Sequence, residues 1–315
     1  NIDFEYEISS DWITFAETRA MTTHELIFHV SPNDVTEPRE GKITFTSGDI
    51  KEEVTIAQAG KEVSYEEVYA KEKAILATLF EATGGSGWTD NTNWCSDLPV
   101  SQWYGIMTDH DGFVIDISLQ SNNLTGSIPE GLSGLERLIS LDLSYNNLTG
   151  SIPAEIGSIS NLYLIYLNFN QFSGSIPPEL SNLQNLEYLE LSKNQLTGTI
   201  PSELRDLQKL YRLSLFDNRL SGTIPAELGE LSNLEELYLY NNELTGSIPA
   251  ELASLSKLKT CVLWGNKLSG KVPQAIMDHP CWATNWHLIL NQNDYGISEE
   301  GIEIYAPEFS VKTIT

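Results

Sequence analysis

Hydrophobic positions recur every 24 residues between positions 114 and 281. Each period holds a short segment in which apolar and polar side chains alternate, as in Leu189–Leu191, and this alternation predicts a β-strand with one buried face. Other apolar residues of the same period predict a return path around the same core; they are Leu196, Ile200, Leu204 and Leu207. No single period can bury its own apolar edge, so the periods are expected to stack with parallel strands about 4.8 Å apart.

Three other residue types recur with the same 24-residue period. The asparagines are Asn122, Asn146, Asn170, Asn194, Asn218, Asn242 and Asn266. The glycines are Gly126, Gly150, Gly174, Gly198, Gly222, Gly246 and Gly270. The prolines are Pro129, Pro153, Pro177, Pro201, Pro225, Pro249 and Pro273. We expect the asparagine side chain to form hydrogen bonds with backbone groups of a buried turn. The glycine is expected where the backbone needs an angle or a close approach that a side chain would hinder. The proline is expected at the start of a helical turn. A glutamate such as Glu203 then lies where a helix N-terminus favours negative charge.

This L-x-x-L-x-L-x-x-N-x-L-T/S-G-x-I/V-P pattern resembles the plant-type subclass of leucine-rich repeats. The resemblance implies an α/β fold, a right-handed solenoid of seven repeats over 114–281 with a parallel sheet on its concave side. It also implies a protein that recognises a ligand, because members of this subclass mostly bind ligands and rarely perform catalysis. An imperfect eighth repeat and a C-terminal cap are expected over 282–315, where Leu288, Leu290 and Asn293 match repeat positions.

Residues 1–61 do not share the repeat. Short β-rich runs at 12–15, 26–30, 43–46 and 54–56, separated by turn residues, predict a small antiparallel all-β domain. The motifs S-D-W-I-T and V-T-I-x-Q-x-G, with Asn33, Arg39 and Gly41 between them, resemble the later part of a BACON domain, an immunoglobulin-like module named for a presumed carbohydrate-binding role in Bacteroidetes proteins. The leading strands of that family are missing, so we expect an incomplete β-sandwich. Trp12 is either a sugar-stacking residue or part of the core.

Residues 62–113 are interpreted as the N-terminal cap of the solenoid. Ser64 and Glu67 form a capping-box pattern before a helix. Packing of Trp88, Trp94 and Trp103 is expected to close the end of the core, because only one cysteine, Cys95, is present where the plant cap often has a pair. The segment 109–112 (Asp-His-Asp-Gly) resembles a metal cluster, but Asp-Gly is a turn pair and predicts a hairpin.

The composition narrows the class of partner. The formal net charge is −26, so a phosphate backbone would be repelled and nucleic acid is not an expected partner. No stretch of 18 apolar residues is present, and no transmembrane segment is expected. The chain begins without a basic and apolar leader, which leaves open whether a secretion signal was removed. Three cysteines do not make a disulfide scaffold, although a bridge between Cys261 and Cys281 stays open.

Several patterns mimic catalytic or metal sites. The run from Gly265 to Lys271 nearly spells a phosphate loop, but the next residue is Val272 rather than Ser or Thr. His279, Cys281 and His287 offer three donors with irregular spacing and no fourth ligand for zinc. No nucleophile, base and orienting group recur in a known arrangement. We therefore predict no enzymatic activity, no cofactor and no metal.

Candidate ligand-binding residues lie at the outward-facing positions of the predicted strands. Phe216, Tyr240 and Trp264 occupy one position in three consecutive repeats and should form an aromatic ladder. Tyr238 and Tyr188 are expected beside the ladder, together with a charged rim. The remaining candidates are Tyr166, Phe169, Tyr145, Arg212, Glu236, Glu190 and Asp217, with Lys193 nearby. The alternative is that the stacked rings only stabilise the sheet.

Together these patterns predict a non-enzymatic recognition protein, secreted or on the outer cell surface, that binds a protein or peptide on its concave sheet. The alternative function is carbohydrate binding, through the N-terminal β domain or the concave aromatic ladder.

Overall fold

A computed structural model describes residues 5–21, 23–35, 37–47, 49–59, 64–270 and 272–283. The chain separates into two compact units, Asn1–Val68 and Tyr69–Thr315. Each unit is described below by itself.

Within its described residues, the first unit contains five antiparallel strands. They are β1 (Glu5–Ile8), β2 (Ile13–Met21), β3 (Thr23–Val30), β4 (Arg39–Ser47) and β5 (Ile50–Gln58). Strand β4 pairs with β1 and β5, and β2 pairs with β3 with one irregularity between Phe15 and Glu17. Ile13 and Ile43 are buried, and they occupy inward-facing positions of the apolar and polar alternation in the sequence. The prediction of an antiparallel all-β region is confirmed.

A capped helix and a tryptophan cluster precede the repeats. Helix α1 (Tyr65–Ala82) begins with the predicted capping box, in which Glu67 N donates to Ser64 Oγ and Ser64 N donates to Glu67 Oε2. Trp94 lies between Trp88 and Trp103, with ring centroids 4.8 and 5.2 Å away. Two short 3₁₀ helices complete this region, Gly85–Gly87 and Val100–Gln102. The three tryptophans are buried and continuous with the apolar core of the repeats.

The predicted hairpin at 109–112 is also confirmed. Strand β6 (Ile106–Thr108) pairs antiparallel with β7 (Val114–Ser118). Asp109 Oδ1 accepts hydrogen bonds from the N–H groups of Asp111 and Phe113, and Gly112 takes a φ of +89°. The aspartate therefore stabilises a turn. No group of three or more metal-ligating side chains occurs among the residues described above.

The repeats form a single concave sheet. Its remaining strands are β8 (Ser140–Asp142), β9 (Leu164–Tyr166), β11 (Tyr188–Glu190), β13 (Arg212–Ser214), β14 (Glu236–Tyr238) and β16 (Thr260–Val262). From β7 to β16 all neighbours are parallel and in register at a 24-residue offset, for example Tyr188 beside Arg212. Two-residue strands pair on the return path: β10 (Ser173–Gly174), β12 (Gln195–Leu196), β15 (Thr245–Gly246) and β17 (Lys267–Leu268).

The asparagine column performs the role predicted for it. Asn146 Nδ2 donates to the carbonyls of Leu119, Leu143 and Ser144, and its Oδ1 accepts from the N–H groups of Asn122 and Leu124. The side chain is 8% exposed. Each asparagine thus satisfies backbone groups of its own turn and of the preceding one, which holds neighbouring repeats together.

The helical turns that follow the first six repeat prolines, Pro129 to Pro249, are 3₁₀ helices, and an α-helix follows Pro273. The 3₁₀ helices are Glu130–Gly134, Ala154–Ser158, Pro178–Asn182, Ser202–Asp206, Ala226–Glu230 and Ala250–Ser254. Each proline precedes its helix, as Pro201 does with a ψ of 130°, and so defines the N-cap position rather than the first helical residue. Glu203 lies in the first turn, as predicted. At the glycine position Gly198 has a φ of +77°, which explains why a side chain is absent there.

The described chain ends in two short helices, α2 (Gln274–Met277) and α3 (Pro280–Ala283). His279 Nδ1 accepts a hydrogen bond from Cys281 N. Cys95, Cys261 and Cys281 are all free thiols, so the bridge that the sequence left open is not formed. The expected eighth repeat and C-terminal cap (284–315), and His287 of the rejected zinc pattern, lie outside the described residues. Among the helices of the described ranges, none has the length and apolar character needed to cross a membrane.

Candidate functional site

The outward-facing side chains of the sheet form an ordered array. Because the strands are in register, residues 24 apart in sequence are neighbours, and each position of the repeat becomes a column along the solenoid. One column ends in Phe216, Tyr240 and Trp264. Backbone bonds beyond the strand ends keep these residues in register, for example from Asp217 N to Tyr240 O at 3.0 Å.

The aromatic ladder is formed. The rings of Phe216 and Tyr240 are stacked with centroids 4.4 Å apart and an interplanar angle of 7°, and those of Tyr240 and Trp264 are 4.6 Å apart at 22°. All three side chains are partly exposed. Burial raises the pKa of Tyr240 to about 12, with Asp217 adding to the shift, so the hydroxyl is neutral at physiological pH. The ladder offers a continuous apolar surface on the concave face.

Arg212 connects the charged candidates. Its Nε lies 2.8 Å from Glu190 Oε1 and 3.1 Å from Glu236 Oε2, although the N–H direction is aligned with neither oxygen. The interaction is therefore one of charge rather than of directed hydrogen bonds. The guanidinium also lies 5.1 Å from the ring centroid of Tyr238. Glu236, Tyr238 and Arg212 thus form one cluster.

Tyr188 is not beside the ladder. It lies between Tyr163 and Tyr211, with ring centroids 5.5 and 5.4 Å away. The physical reason is its position: Tyr188 is the first residue of β11, whereas the ladder residues follow the last residue of their strands. Tyr163 and Tyr211 were absent from the sequence-based candidates. The sequence does contain a pattern that could have identified them, because both tyrosines occupy the position just before the strand and are two repeats apart.

Tyr145 and Phe169 form a second stack. Their rings are 4.2 Å apart at 12°, and Lys193 Nζ lies 5.3 Å from the centroid of Phe169. Tyr145, Phe169, Lys193 and Asp217 all have a φ between +52° and +56°. Such a left-handed conformation costs about 1–2 kcal/mol for a residue with a side chain. It directs this column to the rim of the sheet, where Lys193 pairs with Asp217 at 2.8 Å.

A pocket of about 300 Å³ lies between the second stack and the ladder. Its lining residues are Gln120, Ser144, Tyr145, Tyr166, Asn168, Phe169, Glu190, Ser192, Arg212 and Phe216. Ser144 and Ser192 occupy the same column as Phe216 but are small and buried. The surface is therefore recessed at these positions, and the larger aromatic side chains form the walls of the recess. The repeat pattern predicts that these positions face outward, but it does not predict the depression that their small side chains leave.

Burial determines the electrostatics of this pocket. It raises the pKa of Glu190, with the charge of Arg212 opposing the shift. It also raises the pKa of Tyr166, to which the negative charges of Glu190 and Asp142 contribute. Among the described residues, Asn168 Oδ1 is buried without a hydrogen-bond partner. The lining therefore contains a poorly solvated carboxylate and a buried acceptor without a partner.

Trp12 of the first unit is not an open platform. The guanidinium carbon of Arg39 lies 4.3 Å from its ring centroid, so one face of the indole is covered. Arg39 is itself fixed by hydrogen bonds to Ser31 O, Pro32 O and Gln58 Oε1. This arrangement supports the structural role that the sequence offered as one alternative for Trp12.

Comparison with protein families identifies both units. Residues 132–279 match the family model described as a leucine-rich repeat region, and 114–135 match the model of a single leucine-rich repeat. Residues 5–59 match the BACON family model. The chain therefore carries a BACON domain followed by a leucine-rich repeat domain. A comparison with curated proteins found no match.

Solved structures similar to this chain include plant receptor ectodomains. One is the leucine-rich repeat ectodomain of the membrane receptor kinase GASSHO1/SCHENGEN3 from Arabidopsis thaliana in complex with CASPARIAN STRIP INTEGRITY FACTOR 2; the match is 33% identical, covers 67% of this chain and 28% of that chain, and has a TM-score of 0.58. Another is the Arabidopsis receptor kinase HAESA in complex with the peptide hormone IDA and the co-receptor SERK1, at 29% identity, 66% and 39% coverage and a TM-score of 0.52. This chain spans about a third of the length of these structures.

Proposed function

We propose that this leucine-rich repeat protein is a non-enzymatic recognition protein that binds a peptide or an extended protein segment on its concave sheet, outside the cell. The observation that carries the proposal is the stacked ladder of Phe216, Tyr240 and Trp264, partly exposed on the concave face beside a pocket. Large aromatic side chains with a polar rim are typical of the energetic centre of protein interfaces.

Two further observations support this proposal. The similar plant ectodomains are seen in complex with partners, one of which is a peptide hormone. The ladder and the pocket also share one column of the repeat, so an extended segment lying along the solenoid axis could contact both. An extracellular location is consistent with the similarity to ectodomains.

The test is a binding screen of the full chain against arrays of extracellular proteins, peptides and glycans. Each hit is then measured by titration calorimetry with the F216A/Y240A/W264A variant and with Tyr104→Ala, which removes an exposed tyrosine of the N-terminal cap as a matched control. We expect a protein or peptide hit whose affinity falls by more than about 100-fold in the triple variant, since interface aromatics contribute about 1–4 kcal/mol each, and is unchanged in the control. A hit that binds the triple variant as well as wild type would refute the concave ladder as the site.

A glycan hit that the triple variant retains would transfer the binding function to the BACON domain. For the location, protease treatment of intact cells should degrade the native protein, and full protection with release only on lysis would contradict an extracellular site.

A further inference from the structure

The pocket differs in chemistry from the ladder beside it. The ladder is apolar, whereas the pocket has a floor of Gln120, Ser144, Asn168 and Ser192 between aromatic walls. Its volume of about 300 Å³ is at the lower end of the range for ligand pockets. It is therefore suited to one long side chain rather than to a broad surface.

Charge around the pocket is unbalanced. Glu190 lies in the lining and is 8% exposed, Glu236 is held on the other side of Arg212, and Asp142 lies close enough to influence Tyr166. Two carboxylates, Glu190 and Glu236, thus flank one guanidinium, which leaves one net negative charge beside the pocket. Lys193 does not correct this balance, because it is paired with Asp217. A cation that entered the pocket would interact favourably with this net charge.

The aromatic wall favours the same kind of ligand. Tyr145 and Phe169 are stacked, and the Tyr145 side chain is 51% exposed. The negative face of an aromatic ring attracts cations, and Lys193 already lies near the ring of Phe169 in this way. Because Phe169 is stacked on Tyr145 and already lies near Lys193, the ring that stays open to a second cation is that of Tyr145.

The floor contains a hydrogen-bond acceptor without a partner. Asn168 lines the pocket, and its Oδ1, which is buried, has no hydrogen-bond partner in the part of the chain that the structure describes, so a ligand would reach it only after the amide turns towards the pocket. A buried acceptor without a partner is unfavourable, and a donor brought by a ligand would satisfy it. Lysine and arginine side chains carry donors and no acceptor, so either could bond to Asn168 and Glu190 at once.

We propose that this pocket binds the cationic side chain of a lysine or arginine, seated between the Tyr145–Phe169 wall, Glu190 and Asn168. The proposal rests on the proposed function in that the cation would belong to the peptide bound along the concave sheet. It specifies the chemistry of that peptide, which would contain a basic residue followed or preceded by residues that cover the aromatic ladder.

The direct probes are N-acetyl-arginine amide and N-acetyl-citrulline amide, which have nearly the same shape but differ in charge. Binding of each to the full chain is followed by NMR titration. We expect the arginine probe to bind about tenfold or more tightly than the citrulline probe, and Glu190→Gln to remove this difference, as the loss of one charge-assisted contact would. Tyr145→Ala, at an exposed rim position, should weaken the arginine probe while preserving the fold.

The outcomes separate the two proposals. If peptides bind through the ladder but the arginine and citrulline probes bind equally, or neither binds, the cation pocket is refuted and the proposed function stands. If the arginine probe binds in a Glu190-dependent manner while the screen yields no peptide or protein, the cation pocket stands and the proposed function fails. Arginine binding that both Glu190→Gln and Tyr145→Ala leave unchanged places the cation elsewhere and overturns the inference.

Discussion

The carboxylate of Glu72 accepts a hydrogen bond from the backbone N–H of Val114, with Glu72 Oε2 and Val114 N 2.8 Å apart. Both residues are buried, at 2% and 0% exposure. Val114 begins β7, so the carboxylate from α1 satisfies a backbone donor at the first strand of the repeats. A buried acid thus links the cap to the solenoid.

We predict that at about pH 4, where the acid is protonated in the folded state, Glu72→Gln retains the stability of the protein, whereas Glu72→Leu loses about 1–3 kcal/mol. Glutamine keeps a carbonyl oxygen for Val114 N, but leucine leaves that donor buried and unpaired. Unfolding in urea, followed by circular dichroism, compares the two variants. Equal losses in both would show that the contribution of Glu72 is its packing or its charge rather than this hydrogen bond.

The same residue has a pH signature. Burial raises the pKa of Glu72, although the bond from Val114 opposes the shift. For an acid whose pKa is raised in the folded state, the stabilising contribution is complete below the unfolded pKa and is lost as pH rises through the folded pKa. Glu72→Gln should therefore gain stability relative to wild type between about pH 4 and pH 7. A constant difference across this range would contradict the raised pKa.

A second prediction concerns the asparagine column. Asn194 Nδ2 donates to the carbonyls of Leu167 and Leu191, and its Oδ1 accepts from Phe172 N. Asn194→Ala leaves these buried groups without partners and should lower the free energy of unfolding by about 3 kcal/mol or more.

The matched control is Asn185→Ala. Asn185 Nδ2 also donates to a carbonyl of the neighbouring repeat, that of Ser160, but this bond is exposed to solvent. Water can replace that bond, so the expected loss is below about 1 kcal/mol. Denaturant unfolding of both variants distinguishes the two cases. Similar losses would mean that burial does not determine the contribution of these amides.

The 24-residue period made the sheet and the ladder predictable from the sequence. Once one strand was recognised at Leu189–Leu191, equal spacing required residues such as Phe216 and Tyr240 to be neighbours, and their stacking follows from the strand separation. The asparagine bonds were predictable for the same reason, since a buried turn must satisfy its backbone groups.

Other features depend on geometry that the period does not contain. The placement of Tyr188 requires knowing at which end of a three-residue strand each column lies. The pocket arises from a difference in side-chain size within one column, between Ser192 and Phe216, and only three-dimensional packing shows its depth. Strand β1 is four residues long, too short for its alternation to be recognised.

A third prediction concerns the thiols. Cys261 and Cys281 are buried, at 1% and 6% exposure, while Cys95 is exposed. Titration with a thiol reagent should modify one cysteine in the native protein and all three in denaturant. Burial and the charge of Glu81 raise the pKa of the Cys95 thiol, so its reaction should be slow at neutral pH and faster as pH rises. Only one reactive thiol in denaturant would reveal a disulfide.

A fourth prediction concerns the ion cluster. Arg212→Met removes the guanidinium from Glu190, which is almost fully buried, and should destabilise the protein by about 3–5 kcal/mol at neutral pH. The pKa of Glu190 is already raised by burial, and without Arg212 it rises further. The protonated acid is tolerated in the folded state, so the deficit should be smallest below the unfolded pKa, about 4.3, and should grow as pH rises through the folded pKa.

Urea unfolding of wild type and Arg212→Met at pH 4 and pH 7 measures this deficit. Arg212 also lies over the ring of Tyr238, so part of the loss could come from packing, which does not depend on pH. The double variant Glu190→Gln/Arg212→Met separates the two, because it keeps the lost packing but removes the unpaired buried charge. It should recover most of the deficit at pH 7 and little at pH 4. If Arg212→Met loses the same stability at both pH values, packing on Tyr238, and not neutralisation of Glu190, is the role of this arginine.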